Sequence, residues 1–337
     1  MTVDRKSRRL IVLACLAGVL AATPACRSGN TQASQQPAQD TAQPQQPQLA
    51  PQVQPHVQQF ARVEAMITRW DSLRANGRNP EAEALAPSIT EAVDADYQTY
   101  LRGARGDLGL HAQYLSVSAL GFASNPGATS ALVQAVAGRD GKLAGNALIA
   151  LSVRADPNTP VDLLINRIGP AQPLEVKRYA PLALAKVWEA QALAGMPASQ
   201  GQERMAMARL GAIVVDQDPI TRLHVARALG AMRIRGTYEY LKVLTGDPVM
   251  RVRWAAASAL ERRAEPQGFP TVVKLMAEVA PESKHIIRDI LVSYAGRLQG
   301  RPLTQQEVVS LGMGPRAWNQ WFFDWQRRSG GTSAAAG

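Results

Sequence analysis

The stretch "DPVMRVRWAAASALE", residues 247–261, decides the fold of this chain. An Asp-Pro pair is typical of a helix start, because aspartate caps free N–H groups and proline is favoured in the first turn. In the helix that follows, Ala256, Ala259 and Leu260 fall on one face. A narrow face of alanine and leucine predicts a helix that packs closely against neighbouring helices.

The same pattern recurs along the chain. Helical segments with a small or aliphatic stripe end at Leu120, Leu151, Leu184, Leu229, Leu260 and Leu291. These leucines are 31, 33, 45, 31 and 31 residues apart. A shorter helical segment follows most of them, as in "YEYLKVLTG" at 238–246. Such a period is typical of stacked repeats, in which each unit buries its face only against the next.

These repeats resemble a known family. A pair of helices with an Asp-Pro start, a basic residue seven before the leucine and an Ala-rich helix is similar to HEAT repeats, specifically the short HEAT-like repeats named after phycobilisome lyases. The residues that carry the resemblance are "DPITRLHVARALG" at 218–230 and "DPVMRVRWAAASALE". It implies an all-α solenoid of about six stacked antiparallel helix pairs over residues 107–300. For function, it implies binding or scaffolding in general.

Helical patterning also precedes the repeats, over residues 60–106. Apolar residues at helical spacing predict one helix containing Phe60 and Trp70, which the sequence "ANGRNP" ends. A second helix is expected from Pro80 to Tyr100. No alternating strand pattern follows Phe60, so the folded part is predicted to be all-α.

The other end, residues 301–328, is expected to close the repeats. Trp318, Trp321 and Trp325 are spaced i, i+3 and i+7 and share one helical stripe. This predicts a capping helix over the open core of the last repeat. A helix that binds a membrane interface or a partner groove is the alternative. Residues 329–337 are predicted to be a disordered tail.

The N-terminus has the pattern of an export signal. Residues 1–25 combine a basic start, an apolar run and small residues before Cys26, which resembles a bacterial lipobox with a lipidated cysteine. The apolar run is shorter than the ~20 residues that span a bilayer as a helix. One alternative is the "VLAC" ending at Cys15, and another is ordinary cleavage after Ala22 or Ala25. The expected location is the cell envelope on the periplasmic side, anchored in the membrane by lipid.

Residues 26–59 are rich in Gln and Pro and contain almost no large apolar side chains. Nothing there offsets the entropy of folding, so we expect a disordered tether. Such a tether reaches on the order of 30 Å as a coil and about 100 Å if extended. Arg27, rather than aspartate, follows the cysteine, which by resemblance to enteric lipoproteins favours the outer membrane over the inner.

The net charge of +10 is unevenly distributed. Residues 222–301 alone hold 14 basic and 7 acidic residues. Part of this excess belongs to the repeats, since Lys177, Arg222, Arg253 and Lys284 all stand seven residues before a repeat leucine. We also expect i, i+4 pairs of Asp218 with Arg222 and of Asp247 with Arg251.

The remaining arginines are candidates for a basic face toward a partner: Arg227, Arg233, Arg235, Arg251, Arg262, Arg263 and Arg288. An unknown, acidic protein is the expected partner. Nucleic acid is disfavoured, because the export signal removes the chain from the cytosol. The membrane is expected to be reached through the lipid anchor.

We find no pattern of residues that indicates catalysis. His111, His224 and His285 lie in different repeats without metal-ligand spacing, and the chain has no cysteine after Cys26. We therefore expect no metal, no cofactor and no enzyme. The predicted function is an exported, lipid-anchored scaffold or adaptor in the bacterial cell envelope. The alternatives are a lyase-type HEAT enzyme and a purely structural envelope protein that binds an anionic polymer or lipid.

Overall fold

The computed structural model describes residues 55–333, with side chains from 57 to 329. The predicted signal peptide, Cys26 and most of the predicted tether lie outside these residues. Two compact units are divided after Thr99, earlier than the boundary predicted at residue 106. All regular secondary structure between residues 55 and 333 is helical. None of the helices in this range is long and apolar enough to cross a bilayer.

The first unit contains the predicted helix pair, α1 (Pro55–Ala75) and α2 (Asn79–Asp94). The two helices pack against each other. The buried apolar residues recur at helical spacing and include Phe60, Val63, Trp70 and Leu73 on α1 and Ile89 and Val93 on α2. The apolar periodicity therefore identified the buried faces of both helices.

The second helix of this pair is shorter than predicted. It ends at Asp94, and a separate helix, α3 (Tyr97–Arg105), begins after a two-residue turn. The Asp96 carboxylate in that turn accepts a hydrogen bond from the Thr99 hydroxyl at 2.7 Å. Short polar side chains compete with helical backbone bonds in this way and favour a break.

In the second unit, helices that carry a repeat leucine alternate with second helices along the chain. The leucine-bearing helices are α4 (Leu110–Leu120), α6 (Gly141–Arg154), α8 (Leu174–Leu193), α10 (Pro219–Ala231), α12 (Met250–Arg263) and α14 (Lys284–Gln299). The second helices are α5 (Gly127–Ala137), α7 (Val161–Asn166), α9 (Gln200–Gly211), α11 (Tyr238–Thr245) and α13 (Phe269–Glu278). Each leucine-bearing helix packs on the next one, and from α6 onward each is longer than the second helix that follows it, so we call this set the long-helix layer. This confirms the predicted all-α solenoid of stacked helix pairs.

The repeat stripe packs as the sequence predicts. All six repeat leucines are buried, and so are the alanines that precede the first five of them. Some helices approach closely enough to require glycine. A Cβ atom placed on Gly230 would lie only 2.7 Å from the Cβ of Ala259 in the next repeat. Small residues in this stripe therefore set the spacing of the long-helix layer.

The 45-residue interval does not interrupt the stack. Its extra residues lengthen α8 to 20 residues and form a loop before α9, whose Ser199 and Gln202 make a capping box. Helix α8 packs directly on α10, so the long-helix layer is continuous. The extra length leaves Leu193 and Met196 exposed.

Ion pairs between repeats run along one end of the long-helix layer. Lys177 contacts Asp216 at 2.8 Å, and Arg222 contacts Asp247 at 2.6 and 3.0 Å. In both pairs the base stands seven residues before its own repeat leucine, and the acid stands thirteen before the next one. At Lys177 and Arg222, the basic position identified in the sequence thus links one repeat to the next.

Asp218 and Asp247 form ion pairs with other arginines than the predicted i, i+4 partners. Asp218 pairs with Arg178 of the preceding repeat at 2.8 Å instead of with Arg222, and it also caps α10. Asp247 pairs with Arg222 rather than Arg251. The physical reason is that both aspartates lie at helix starts that face the neighbouring repeat, where a bidentate partner is available.

Candidate functional site

Arg263, one of the predicted partner-binding residues, is bound by its own chain. Its guanidinium donates to the carbonyls of Met232 and Ile234 in the preceding repeat and to the Glu265 carboxylate. Arg154 stands at the equivalent position, three residues after a repeat leucine, and it donates to the carbonyls of Ala123 and Asn125. Both arginines therefore tie successive repeats together.

The same two sites share a short sequence, "RADP" at 154–157 and "RAEP" at 263–266. The alanine adopts a left-handed conformation in each, with φ of 47° at Ala155 and 51° at Ala264. This conformation ends the helix and turns the following acid back toward the arginine. The motif was missed in the sequence, although its repetition at matching positions was the signal that could have revealed it.

The other predicted arginines do not form one surface. Arg251 lies at the start of α12 and Arg262 near its end, eleven residues or about 16 Å apart along the helix axis. Arg233 and Arg235 are exposed in the loop after α10. Arg288 lies on α14 and pairs with the adjacent Asp289 at 3.2 Å. Arg227 and Arg262 lie close to each other, because the charges of both act on Lys186.

These two arginines belong to a compact, partly buried group on the long-helix layer. Glu189 on α8 accepts from Lys186 at 2.7 Å through one carboxylate oxygen, and from Arg262 through the other. Arg227 on α10 is close enough for its charge to act on Lys186. We call Lys186, Glu189, Arg227 and Arg262 the basic cluster. It contains three cationic side chains and one carboxylate.

The pKa of Lys186 reflects the electrostatics of the basic cluster. Burial lowers the pKa of its ammonium group, the ion pair with Glu189 opposes this, and the charges of Arg227 and Arg262 lower the pKa further. Like charges are thus held close together in a partly desolvated place. An additional anion here would relieve this repulsion.

The basic cluster draws on three successive helices. Lys186 on α8, Ala231 on α10 and Arg262 on α12 each stand two residues after a repeat leucine, so they occupy equivalent positions in their repeats. Arg262 reaches Glu189 on α8, although α10 packs against both α8 and α12. Lys186 and Glu189 were not predicted as site residues. Alignment of the repeats on their leucines could have placed Lys186 at the same level as Arg262. It could not have shown that Glu189 contacts both of them.

Among the histidines, His224 is a packing residue. Its side chain is buried, its Nδ1 lies 2.6 Å from the carbonyl oxygen of Arg178, and its ring contacts Tyr179. The carbonyl accepts, so Nδ1 carries the proton. Burial lowers the pKa of His224 to about 3, and the charge of Arg227 acts in the same direction.

This histidine predicts an acid-sensitive fold. Its pKa is about 3 when folded and ~6.5 when unfolded, so between these values the unfolded chain binds a proton that the folded chain does not. Stability therefore falls as the pH drops from ~6.5 toward 3, by roughly 1.4 kcal/mol per pH unit from this residue. Urea unfolding between pH 7 and pH 4 should show a shallower loss for His224→Gln. The exposed His285→Gln serves as the control, and parallel curves for all three proteins would contradict the assignment.

No metal site is found in the described part of the chain. Between residues 55 and 333 there is no group of three or more His, Cys, Asp or Glu side chains that could hold a metal ion. His285 is exposed on α14, in a different repeat from His224.

The C-terminal aromatic residues pack around Phe269 of α13. The last described helices are α15 (Gln305–Leu311) and α16 (Pro315–Ser333), and α16 packs against α13. The Phe269 ring lies 6.4 Å from Trp318, 5.2 Å from Trp321 and 5.0 Å from Phe322. Trp318 is fully buried, and Trp325 stacks on Trp321. These contacts hold α16 against α13, and Phe269 is the member of this aromatic group that the sequence pattern did not reveal.

Comparison with known proteins agrees with the repeats. Residues 207–288 match the family model described as HEAT repeats. The match runs from α9 into α14 and includes both segments that carry the sequence resemblance. No curated protein matches the chain.

Proposed function

We propose that this chain is an exported, lipid-anchored scaffold of the bacterial cell envelope, which binds another protein through its long-helix layer. HEAT repeats are in general protein-interaction scaffolds. The observation that carries the proposal is the basic cluster, where Lys186 and Arg262 from different repeats share the carboxylate of Glu189 and the charge of Arg227 acts on Lys186. An acidic partner is the ligand that such a surface favours.

The envelope part of the proposal rests on the N-terminal sequence. A basic start, a short apolar run and Cys26 after small residues support export and lipidation, with the chain on the periplasmic side and the outer membrane favoured. A lipid anchor followed by a Gln/Pro-rich tether would hold the repeats clear of the membrane surface.

The anchor is tested by cell fractionation. In Cys26→Ser cells we expect the protein to move from the membrane fraction to the soluble fraction, because the acylated residue is gone. Cys15→Ser is the matched control and should leave the distribution unchanged. Release by Cys15→Ser alone would instead place the lipid on Cys15. An unchanged distribution in both variants would contradict the anchor.

The interaction surface is tested by crosslinking and pulldown from envelope fractions. The double variant Arg227→Glu and Arg262→Glu should recover about tenfold less of a specific partner, since charge reversal at a close ion pair costs more than ~1.4 kcal/mol. Lys274→Glu on α13 is the control, as this exposed lysine lies outside the long-helix layer. Equal recovery with all three proteins would exclude the basic cluster as the binding surface, and failure to recover any partner would favour a purely structural role.

A further inference from the structure

The basic cluster holds a carboxylate of its own chain where an external one would bind. Both oxygens of Glu189 are used, one by Lys186 at 2.7 Å and the other by Arg262. The glutamate reaches Arg262 across the intervening helix α10, and the contact is only partly buried, so solvent and other molecules have access to it. The charge of Arg227 also acts on Lys186.

The cations of the basic cluster lie close together, since Glu189 bridges Lys186 and Arg262. Arg263 is committed to backbone carbonyls, and Arg251 lies about 16 Å from Arg262 along α12. A flat anionic membrane would be best matched by cations distributed over a broad face. Two cations that share one carboxylate instead match individual acidic side chains.

An exposed apolar residue adjoins the basic cluster on the same helix face. Leu193 follows Glu189 by four residues and Lys186 by seven, which places it on their side of α8, about 6 and 10 Å further along the axis. Its side chain is 88% exposed, and Met196 in the next loop is also exposed. This end of α8 belongs to the extra length of the 45-residue interval. Along this face of α8, the charged side chains and the apolar side chain are therefore separated by one to two helical turns.

We infer that the surface formed by Lys186, Glu189, Leu193, Arg227 and Arg262 binds an acidic amphipathic helix of a partner protein. A carboxylate of that helix displaces Glu189 from Arg262, and an apolar residue one to two turns away packs on Leu193. Glu189 acts as an internal competitor, which weakens binding and restricts it to ligands that supply both carboxylates and apolar contacts. The inference rests on the proposed function, because it specifies the partner of that surface.

The test measures binding of a synthetic peptide to the full chain by fluorescence anisotropy. The peptide is an 18-residue amphipathic helix with leucines on one face and glutamates beside them, and its counterpart has lysine at each glutamate. The wild-type protein should bind the glutamate peptide and not the lysine peptide, more weakly as salt rises. Glu189→Gln should tighten binding severalfold, whereas Arg262→Glu and Leu193→Ser should each weaken it at least fivefold.

Matched variants separate this site from general effects of charge and hydrophobicity. Glu278→Gln removes an exposed, paired glutamate from α13, and Val309→Ser removes an exposed apolar residue from α15. Both should bind as the wild type does. The inference is overturned if Glu189→Gln does not tighten binding, or if Arg262→Glu binds the peptide normally. It is also overturned if phosphatidylglycerol vesicles, rather than the peptide, bind in a manner that depends on Arg227 and Arg262.

This experiment distinguishes the inference from the proposed function. If the pulldown recovers a partner that depends on Arg227 and Arg262 while the glutamate peptide does not bind, the scaffold function stands and the acidic helix is wrong. If the peptide binds through the basic cluster but envelope fractions yield no partner, the binding chemistry stands and the envelope role fails.

Discussion

Replacing Asp247 with alanine is expected to destabilise the second unit by about 3–5 kcal/mol. Its carboxylate accepts from the Arg222 guanidinium at 2.6 and 3.0 Å and from the backbone N–H of Val249 at 2.8 Å. Both members of the pair are buried. Removal of the acid leaves the arginine charge buried without its bidentate partner, and it also frees a backbone donor before α12. The cost arises at the junction of two repeats, so unfolding should begin there.

Urea unfolding followed by circular dichroism measures this loss. Asp289→Ala is the control, because its ion pair with Arg288 is exposed and such pairs contribute about 0–1 kcal/mol. The double variant Asp247→Ala with Arg222→Met should recover part of the stability, since it removes the unpaired buried charge. A loss below about 1 kcal/mol for Asp247→Ala would show that the ion pair does not hold the repeats together.

Replacing Phe269 with alanine should cost a similar amount, about 3–5 kcal/mol. The ring is fully buried, and it contacts Tyr294 at 5.4 Å in addition to the aromatic residues of α16. Without it, Trp318 and Phe322 lose the surface against which they pack. We therefore expect α16 to loosen from α13 in addition to the general loss of stability.

Limited proteolysis and near-ultraviolet circular dichroism test this second expectation. In Phe269→Ala, cleavage within α16 should accelerate and the aromatic signal should decrease. Phe323→Ala is the matched control on the same helix, because its ring is 54% exposed and its loss should change stability by less than about 0.5 kcal/mol. Cleavage of α16 at the wild-type rate in Phe269→Ala would mean that the aromatic residues are not a cap, and would favour the alternative of a free partner-binding helix.

The sequence predicted the repeats because their signal is local and is repeated. The stripe of Ala256, Ala259 and Leu260 and its counterparts identify a buried helical face without knowledge of the rest of the chain. Helix ends were less predictable. Tyr97 and Tyr100 fit the periodicity of α2, yet they begin α3, because a turn of two residues preserves nearly the same spacing.

The arginines show the limit of reading charge from sequence. Composition correctly placed the excess of positive charge in residues 222–301. Composition did not distinguish Arg262 from Arg263, although the two side chains make different contacts in the structure. Arg263 turns toward the carbonyls of the preceding repeat, whereas Arg262 crosses α10 to reach Glu189. Adjacent residues on a helix point about 100° apart, so one joins the packing and the other joins the surface.

By itself, then, the sequence determined the helices, their stacking order and the charge of the last repeats, since these depend on residues close together in the chain. Only the tertiary structure decided which charges meet. Glu189 and Arg262 are 73 residues apart, and their contact depends on the length of α8 and the spacing of three helices. Packing sets these distances, and no local pattern in the sequence encodes them.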